Sequence, residues 1–70
     1  EPERTPEQFA EIRSLHGKLS EKRGKPVSAK ELGEMLEEAV GFNPVKGGAR
    51  LTVAGADKSI AALREMVANA

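Results

Sequence analysis

Apolar side chains recur at three- and four-residue steps near the start of the chain, and this spacing predicts a helix over residues 6–23. The stripe consists of Phe9, Ile12, Leu15, His16 and Leu19. Thr5 is the expected N-cap, Pro6 suits the first helical position, and Gln8 completes a Thr-x-x-Gln capping box. Gly24 follows at the position where a left-handed residue commonly ends a helix. Both ends of this helix are therefore marked locally.

A second apolar stripe predicts a helix that begins directly after Ser28. The stripe consists of Ala29, Leu32, Met35, Leu36, Ala39 and Val40. Ser28 and Glu31 have the spacing of a capping box, and Gly41 is expected to end the helix. Gly33 in mid-helix costs about 1 kcal/mol relative to alanine. Close approach of a neighbouring backbone would account for its presence there.

Leu51 and Val53 alternate with polar and small residues over residues 50–54, which predicts a half-buried strand. A strand cannot satisfy its own backbone hydrogen-bonding groups, so this one needs a pairing partner. Residues 42–45 could supply it as the other arm of a short hairpin, and the residues around Val27 are the alternative.

A third helix is predicted after Asp57, which is the expected N-cap. Its apolar face consists of Ile60, Leu63, Met66 and Val67. The expected fold is a small α+β domain, mostly helical, in the order helix, helix, short hairpin or strand, helix. We expect residues 1–5 to be a flexible tail and residues 6–70 to be a single domain excised from a larger protein.

The amino-acid composition argues against several classes of function. The chain has no cysteine, so disulfides and thiolate metal sites are excluded, and a cytoplasmic location is expected. No apolar stretch approaches the roughly 20 residues that a membrane span requires. Eleven basic and eleven acidic side chains cancel, so no global charge attracts the protein to nucleic acid or to anionic lipid.

The glycine-rich segment near the third helix resembles a phosphate-binding loop only superficially. Lys58 and Ser59 follow Gly55 two residues later than a Walker A motif requires. Asp57 would itself satisfy the free N–H groups of the helix and would repel an anion. We therefore assign these glycines to turns and expect no nucleotide cofactor.

Catalytic chemistry has little support in the sequence. His16 is the only histidine, it lies on an apolar stripe, and a metal site needs several converging ligands. Ser28 is assigned to helix capping, and a domain of this size has little room for a pocket that would hold a nucleophile, its base and an orienting partner. We expect no enzymatic activity, no catalytic residue, no metal, no cofactor and no small-molecule ligand.

A basic stretch at residues 18–30 is the main signal for nucleic acid. A winged-helix-like DNA-binding domain would use it together with a wing at residues 42–54. The candidate contacts are Lys18, Lys22, Arg23, Lys25, Lys30, Lys46 and Arg50. No recognition helix follows at the spacing of a helix-turn-helix, and the glutamates of the second helix would repel a duplex. A charged face exposed to water is the ordinary interpretation.

The interpretation that we favour is a non-enzymatic protein–protein interaction or assembly module with a regulatory role, within a larger cytoplasmic protein. Separated basic and acidic faces could match complementary faces on a partner or on a second copy. The expected interface residues are Glu34, Glu37, Glu38 and Met35. DNA binding is the alternative function.

Overall fold

The computed structural model describes residues 3–44 and 51–70, and three helices account for most of them. Helix α1 spans Pro6–Arg23, α2 spans Ala29–Val40 and α3 spans Val53–Asn69. The principal dimensions are 36 × 20 × 16 Å. The protein is thus a small compact helical domain.

Helices α1 and α3 form the main packed pair and run parallel. At their first turns, Gln8 Nε2 donates hydrogen bonds to Val53 O at 3.2 Å and to Asp57 Oδ1 at 2.8 Å. At their last turns, Leu19 and Met66 line the same depression. Parallel packing therefore places both helix C-termini at one end of the molecule.

Helix α2 runs antiparallel to the other two. Near its start, Glu31 lies 3.5 Å from Arg23 at the end of α1. Just beyond its end, the ring of Phe42 lies close to Gly55 in the first turn of α3. The start of α2 therefore lies at the end of the molecule where α1 and α3 finish.

The core is a single cluster of aliphatic side chains from all three helices. Its buried members are Leu15, Leu19, Val27, Leu32, Leu36, Ile60 and Leu63. Six of them lie on the stripes that the spacing predicts, and Val27 joins them from the α1–α2 connection. Phe9 is the exception to the first stripe, since it is 42% exposed and has the guanidinium groups of Arg4 and Arg13 over its ring.

The predicted bounds and cap residues of the first two helices are confirmed, although Ala29 and Ala39 of the second stripe are exposed. Thr5 and Gln8 form both hydrogen bonds of the capping box. Ser28 Oγ accepts the N–H of Glu31, which fixes the start of α2. Gly24 and Gly41 end their helices with φ of 74° and 90°, in the left-handed region that glycine adopts without steric cost.

The α+β prediction is wrong, because the described residues form three helices and no strand or hairpin. Thr52 makes one isolated antiparallel bridge to Glu3. The predicted strand at residues 50–54 is replaced, in its described part, by Leu51, the cap residue Thr52 and the first turn of α3. Period-two alternation over so few residues is also compatible with entry into a helix, and here the helix forms.

Thr52, not Asp57, is the N-cap of α3. Its hydroxyl accepts the N–H of Gly55 at 3.0 Å, and its carbonyl accepts the N–H of Ala56 at 2.8 Å. Asp57 lies in the second turn and accepts the hydrogen bond from Gln8. Both residue types are good N-caps, so local sequence did not distinguish the two positions.

Neither predicted strand partner pairs with this segment. Of the predicted hairpin, residues 42–44 are bends or irregular and residues 45–50 lie outside the described part of the chain. Val27 instead bonds α1, with its N–H donated to Ser20 Oγ at 3.1 Å and its carbonyl 2.5 Å from His16 Nε2. The segment that precedes α3 contacts the start of the chain, where the N–H of Arg4 donates to Leu51 O at 2.8 Å.

The identity of this cap can be tested by substitution. We expect Thr52→Ala to lower the free energy of unfolding by about 1 kcal/mol, because the N–H of Gly55 loses its acceptor. Asp57→Ala removes one exposed hydrogen bond and should cost less. Urea unfolding followed by far-UV circular dichroism measures both. A larger loss for Asp57→Ala would contradict the assignment.

Candidate functional site

A shallow depression of about 500 Å³ lies at the end of the molecule where α1 and α3 terminate and α2 begins. Its lining residues are Leu19, Arg23, Lys25, Met35, Met66 and Ala70. We call it the methionine depression. Leu19 is buried, and Met35 and Met66 pack half-buried against the core, so part of each methionine remains exposed. This is a site at which all three helices contribute side chains.

A second depression of about 270 Å³ is lined by Lys18, Glu21, Lys22 and Val67. Lys22 and Val67 are chain neighbours of Arg23 and Met66, so the two depressions adjoin. Together they present apolar side chains within a margin of cations. We call Lys18, Lys22, Arg23 and Lys25 the basic rim.

The three lysines of the basic rim are unpaired among the described residues, and Glu21 lines the second depression with Lys18 and Lys22. Lys18, Lys22 and Lys25 are exposed, and none makes an ion pair or a side-chain hydrogen bond within residues 3–44 and 51–70. Lys22 and Arg23 occupy the last turn of α1, where cations interact favourably with the helix dipole. The lysine ammonium groups therefore remain available to an anionic partner.

Arg23 is the one member of the basic rim with partners among the described residues. Its Nη1 lies 3.5 Å from Glu31 Oε2 and 3.5 Å from Met35 Sδ. A charge-assisted hydrogen bond is normally 2.7–2.9 Å long, so this contact with Glu31 is weak. A partner carboxylate could therefore replace it at little cost.

The exposed side of α2 carries a second charged surface. Glu34, Glu37 and Glu38 are all exposed, and among the described residues their carboxylates make no ion pair or hydrogen bond. Glu34 lies three and four positions from the other two, so the three share one helix face. We call them the acidic stripe. On helical geometry, Glu38 lies only about 60° around the axis from Met35.

The groups that could support catalysis are engaged in the fold. His16 Nε2 bonds to Val27 O, and Ser20 Oγ donates to His16 O at 3.2 Å while it accepts from Val27. Ser59 is fully buried and donates to Gly55 O at 2.9 Å. Ser28 caps α2. The contacts of His16, Ser20 and Ser28 hold the α1–α2 connection in place, and the contact of Ser59 lies within α3.

The described residues also form no metal site and no membrane-spanning helix. Within the described ranges, no cluster of three His, Asp or Glu side chains is arranged to hold a metal ion. Over the same ranges, none of the helices is both long and apolar enough to cross a membrane.

The site residues that the sequence analysis proposed lie in different parts of the structure. Lys18, Lys22, Arg23 and Lys25 come together as the basic rim, whereas Lys30 is exposed in the first turn of α2. Lys46 and Arg50, assigned to a wing, lie outside the described residues. Met35 lines the methionine depression, and the acidic stripe lies beside it.

The contribution of α3 to this site was missed. Sequence spacing placed Met66 and Val67 on the apolar face of the third helix, and both pack half-buried against the core while they also line the two depressions. One signal could have been used: the chain has only two methionines, and each lies three residues after a leucine of its helix, Leu32 or Leu63.

Comparison of the chain with protein-family models, with curated proteins and with solved structures gives no match.

Proposed function

We propose that this chain is a non-enzymatic protein-interaction module that binds its partner at the methionine depression. An apolar side chain of the partner enters between Met35 and Met66, and acidic side chains beside it contact the basic rim. The observation that carries this proposal is the presence of two half-buried methionines beside two exposed cations, Lys25, which is unpaired among the described residues, and Arg23, which is 3.5 Å from Glu31. Methionine is flexible and polarisable, which suits a surface that adapts to another protein.

A protein partner fits this surface better than DNA does. The apolar floor contributed by Leu19 and Met66 has no role against a phosphate backbone, which is recognised mainly by cations and N–H groups. The acidic stripe also lies beside Met35, where it would repel a duplex. In the described part of the predicted wing, residues 42–44 and 51–54, no strand or hairpin forms. A cytoplasmic location is part of the proposal and rests on the absence of cysteine.

Methyl NMR offers a direct test, because Met35 and Met66 are the only methionines. Protein labelled at the methionine methyl groups gives two reporter signals, both from the proposed site. We expect both to shift when a helical peptide is added that carries leucines along one face and glutamates at the positions that flank them. The shift should weaken as ionic strength rises, since the basic rim is exposed.

Two controls make this test specific. A peptide in which lysine replaces each glutamate should bind far more weakly, because it meets the basic rim with like charge. Lys22→Glu/Lys25→Glu should weaken binding of the acidic peptide by about tenfold or more, whereas the equally charged variant Arg13→Glu/Lys58→Glu should not. Signals that respond to a DNA duplex and not to the acidic peptide would replace the proposal with DNA binding. No response to the acidic peptide at millimolar concentration would refute it.

A further inference from the structure

The capping box at the start of α2 is only half formed. In α1 both halves are present: Thr5 Oγ1 accepts the N–H of Gln8, and Gln8 Oε1 accepts the N–H of Thr5 at 2.9 Å. In α2, Ser28 Oγ accepts the N–H of Glu31, but the N–H of Ser28 donates no hydrogen bond within residues 3–44 and 51–70. The carboxylate of Glu31 therefore leaves open the cap bond that its position three residues after Ser28 allows.

The Glu31 carboxylate instead approaches Arg23, which lines the methionine depression. Glu31 Oε2 lies 3.5 Å from Arg23 Nη1, and the same Nη1 lies 3.5 Å from Met35 Sδ. A guanidinium has five N–H donors, and within the described residues Nε and Nη2 of Arg23 make no hydrogen bond. Arg23 therefore contacts the methionine while most of its donors have no partner in that part of the chain.

The contact with Glu31 indicates the chemistry of the group that Arg23 can bind. Glu31 presents a carboxylate, but it reaches Arg23 through one long contact. An arginine and a carboxylate that are free to align form two parallel hydrogen bonds of about 2.7–2.9 Å. A carboxylate on a partner is not tethered to the first turn of α2, so it can adopt that geometry. Two carboxylates on one guanidinium repel each other, so the partner's carboxylate displaces Glu31.

We propose that Arg23 binds a carboxylate of the partner and that Glu31 is an internal competitor, which this carboxylate displaces onto the N–H of Ser28. The inference rests on the proposed function, because it names the group that the same surface recognises. Displacement costs little, since the exposed contact is weak and Glu31 gains the missing cap bond in exchange. The partner is accordingly a protein segment with an aspartate or glutamate next to the apolar side chain that enters between Met35 and Met66.

Removal of the competitor should tighten binding of the acidic peptide. Glu31→Gln removes the charge that attracts Arg23, and glutamine can still close the capping box. We expect the dissociation constant to fall by about twofold to fivefold, which corresponds to one exposed ion pair. Glu7→Gln makes the same change in net charge at the opposite end of α1, where Glu7 is exposed. Its effect should be less than about 1.5-fold, because distant charges are screened.

A double-mutant cycle separates competition from overall charge. Arg23→Gln alone should weaken binding by about fivefold or more, because the bidentate contact is lost. In the Arg23→Gln background, Glu31→Gln should leave the affinity unchanged, since no guanidinium remains to be released. Arg23→Gln should also have no effect on a peptide in which glutamine replaces each glutamate. The two side chains are 34% and 43% exposed, and circular dichroism verifies that the variants remain folded.

The amide signal of Ser28 reports the displacement directly. When the acidic peptide is added, this signal should move downfield and its exchange with solvent should slow, because the Glu31 carboxylate then accepts the N–H. Arg23→Gln should produce the same change without peptide, since it also releases Glu31. Glu31→Ala should abolish the change at Ser28 while the methionine methyl signals still respond to the peptide.

The outcomes distinguish this inference from the proposed function. If the methionine signals respond to the peptide but Ser28 does not, Glu31 is not displaced, and the inference is overturned while the docking surface stands. The same conclusion follows if Glu31→Gln tightens binding equally with and without Arg23, because the effect is then one of overall charge. If neither the methionine signals nor Ser28 respond to the peptide, the proposed function fails and the inference fails with it.

Discussion

Leu63→Ala should lower the free energy of unfolding by about 3 kcal/mol, within the usual range of 2–5 kcal/mol for a buried leucine. Leu63 lies in the middle of α3 and is fully buried. It belongs to the cluster that joins α3 to the other two helices. Truncation removes apolar contacts and leaves a cavity that the surrounding helices can close only in part.

The consequence is large because the domain is small. A chain of this length is expected to have a total stability of about 4–10 kcal/mol, so this one change removes a substantial fraction of it. No disulfide compensates, since the chain has no cysteine. Urea unfolding followed by far-UV circular dichroism is the appropriate measurement, because the chain has no tryptophan or tyrosine to report by fluorescence.

Leu63→Met is the matched control, since it conserves volume and should cost less than about 1.5 kcal/mol. The exposed residue Ala61 provides a second comparison, because its replacement by serine should change stability by less than about 0.5 kcal/mol. A loss for Leu63→Ala no larger than that of the Ala61 variant would show that Leu63 is not part of the core.

The parts of the fold that sequence could predict are those with local signals. Thr5 and Gln8 mark the start of helix α1, and Gly24 marks its end. Each of these residues bonds to a residue three or four positions away in the chain. Helix α2 is marked in the same way by Ser28 and Gly41. Each boundary depends on contacts between residues a few positions apart, and the capping rules describe those contacts.

The start of α3 could not be predicted because it depends on residues far away in sequence. Thr52 pairs with Glu3, and the carbonyl of Leu51 accepts the N–H of Arg4. Gln8 donates a hydrogen bond to the carboxylate of Asp57, the other candidate for the cap. These contacts exist only because α1 and α3 pack in parallel, and no local rule contains that arrangement.

The same distinction applies to the candidate site. The basic rim was visible because its four residues are nearly contiguous in sequence, and the acidic stripe was visible because it lies on one helix face. The role of Met66 was not visible, since it depends on the parallel packing that brings the end of α3 to the end of α1. Charged clusters can be identified from the sequence, but a surface to which three helices contribute can be identified only from the folded structure.

Gly33→Ala should destabilise the protein by about 1–2 kcal/mol, although alanine is the better helix former by about 1 kcal/mol. Gly33 is buried in mid-helix, and a Cβ atom there would collide with the side-chain amide of Asn43. The structure thus explains the glycine by a close side chain, whereas the sequence had suggested a close backbone. The side-chain amide of Asn43 would have to turn aside, and we expect the cost of that displacement to exceed the gain in helix propensity.

Gly17→Ala is the matched control, because Gly17 is also in mid-helix but a Cβ there meets nothing within 4 Å. We expect it to stabilise the protein by about 0.5–1 kcal/mol, opposite in sign to Gly33→Ala. A double-mutant cycle with Asn43→Ala then isolates the collision, since the cost of losing Asn43 itself cancels. In the Asn43→Ala background, Gly33→Ala should become neutral or stabilising. If it stays equally destabilising there, the collision with Asn43 is not the reason that position 33 is glycine.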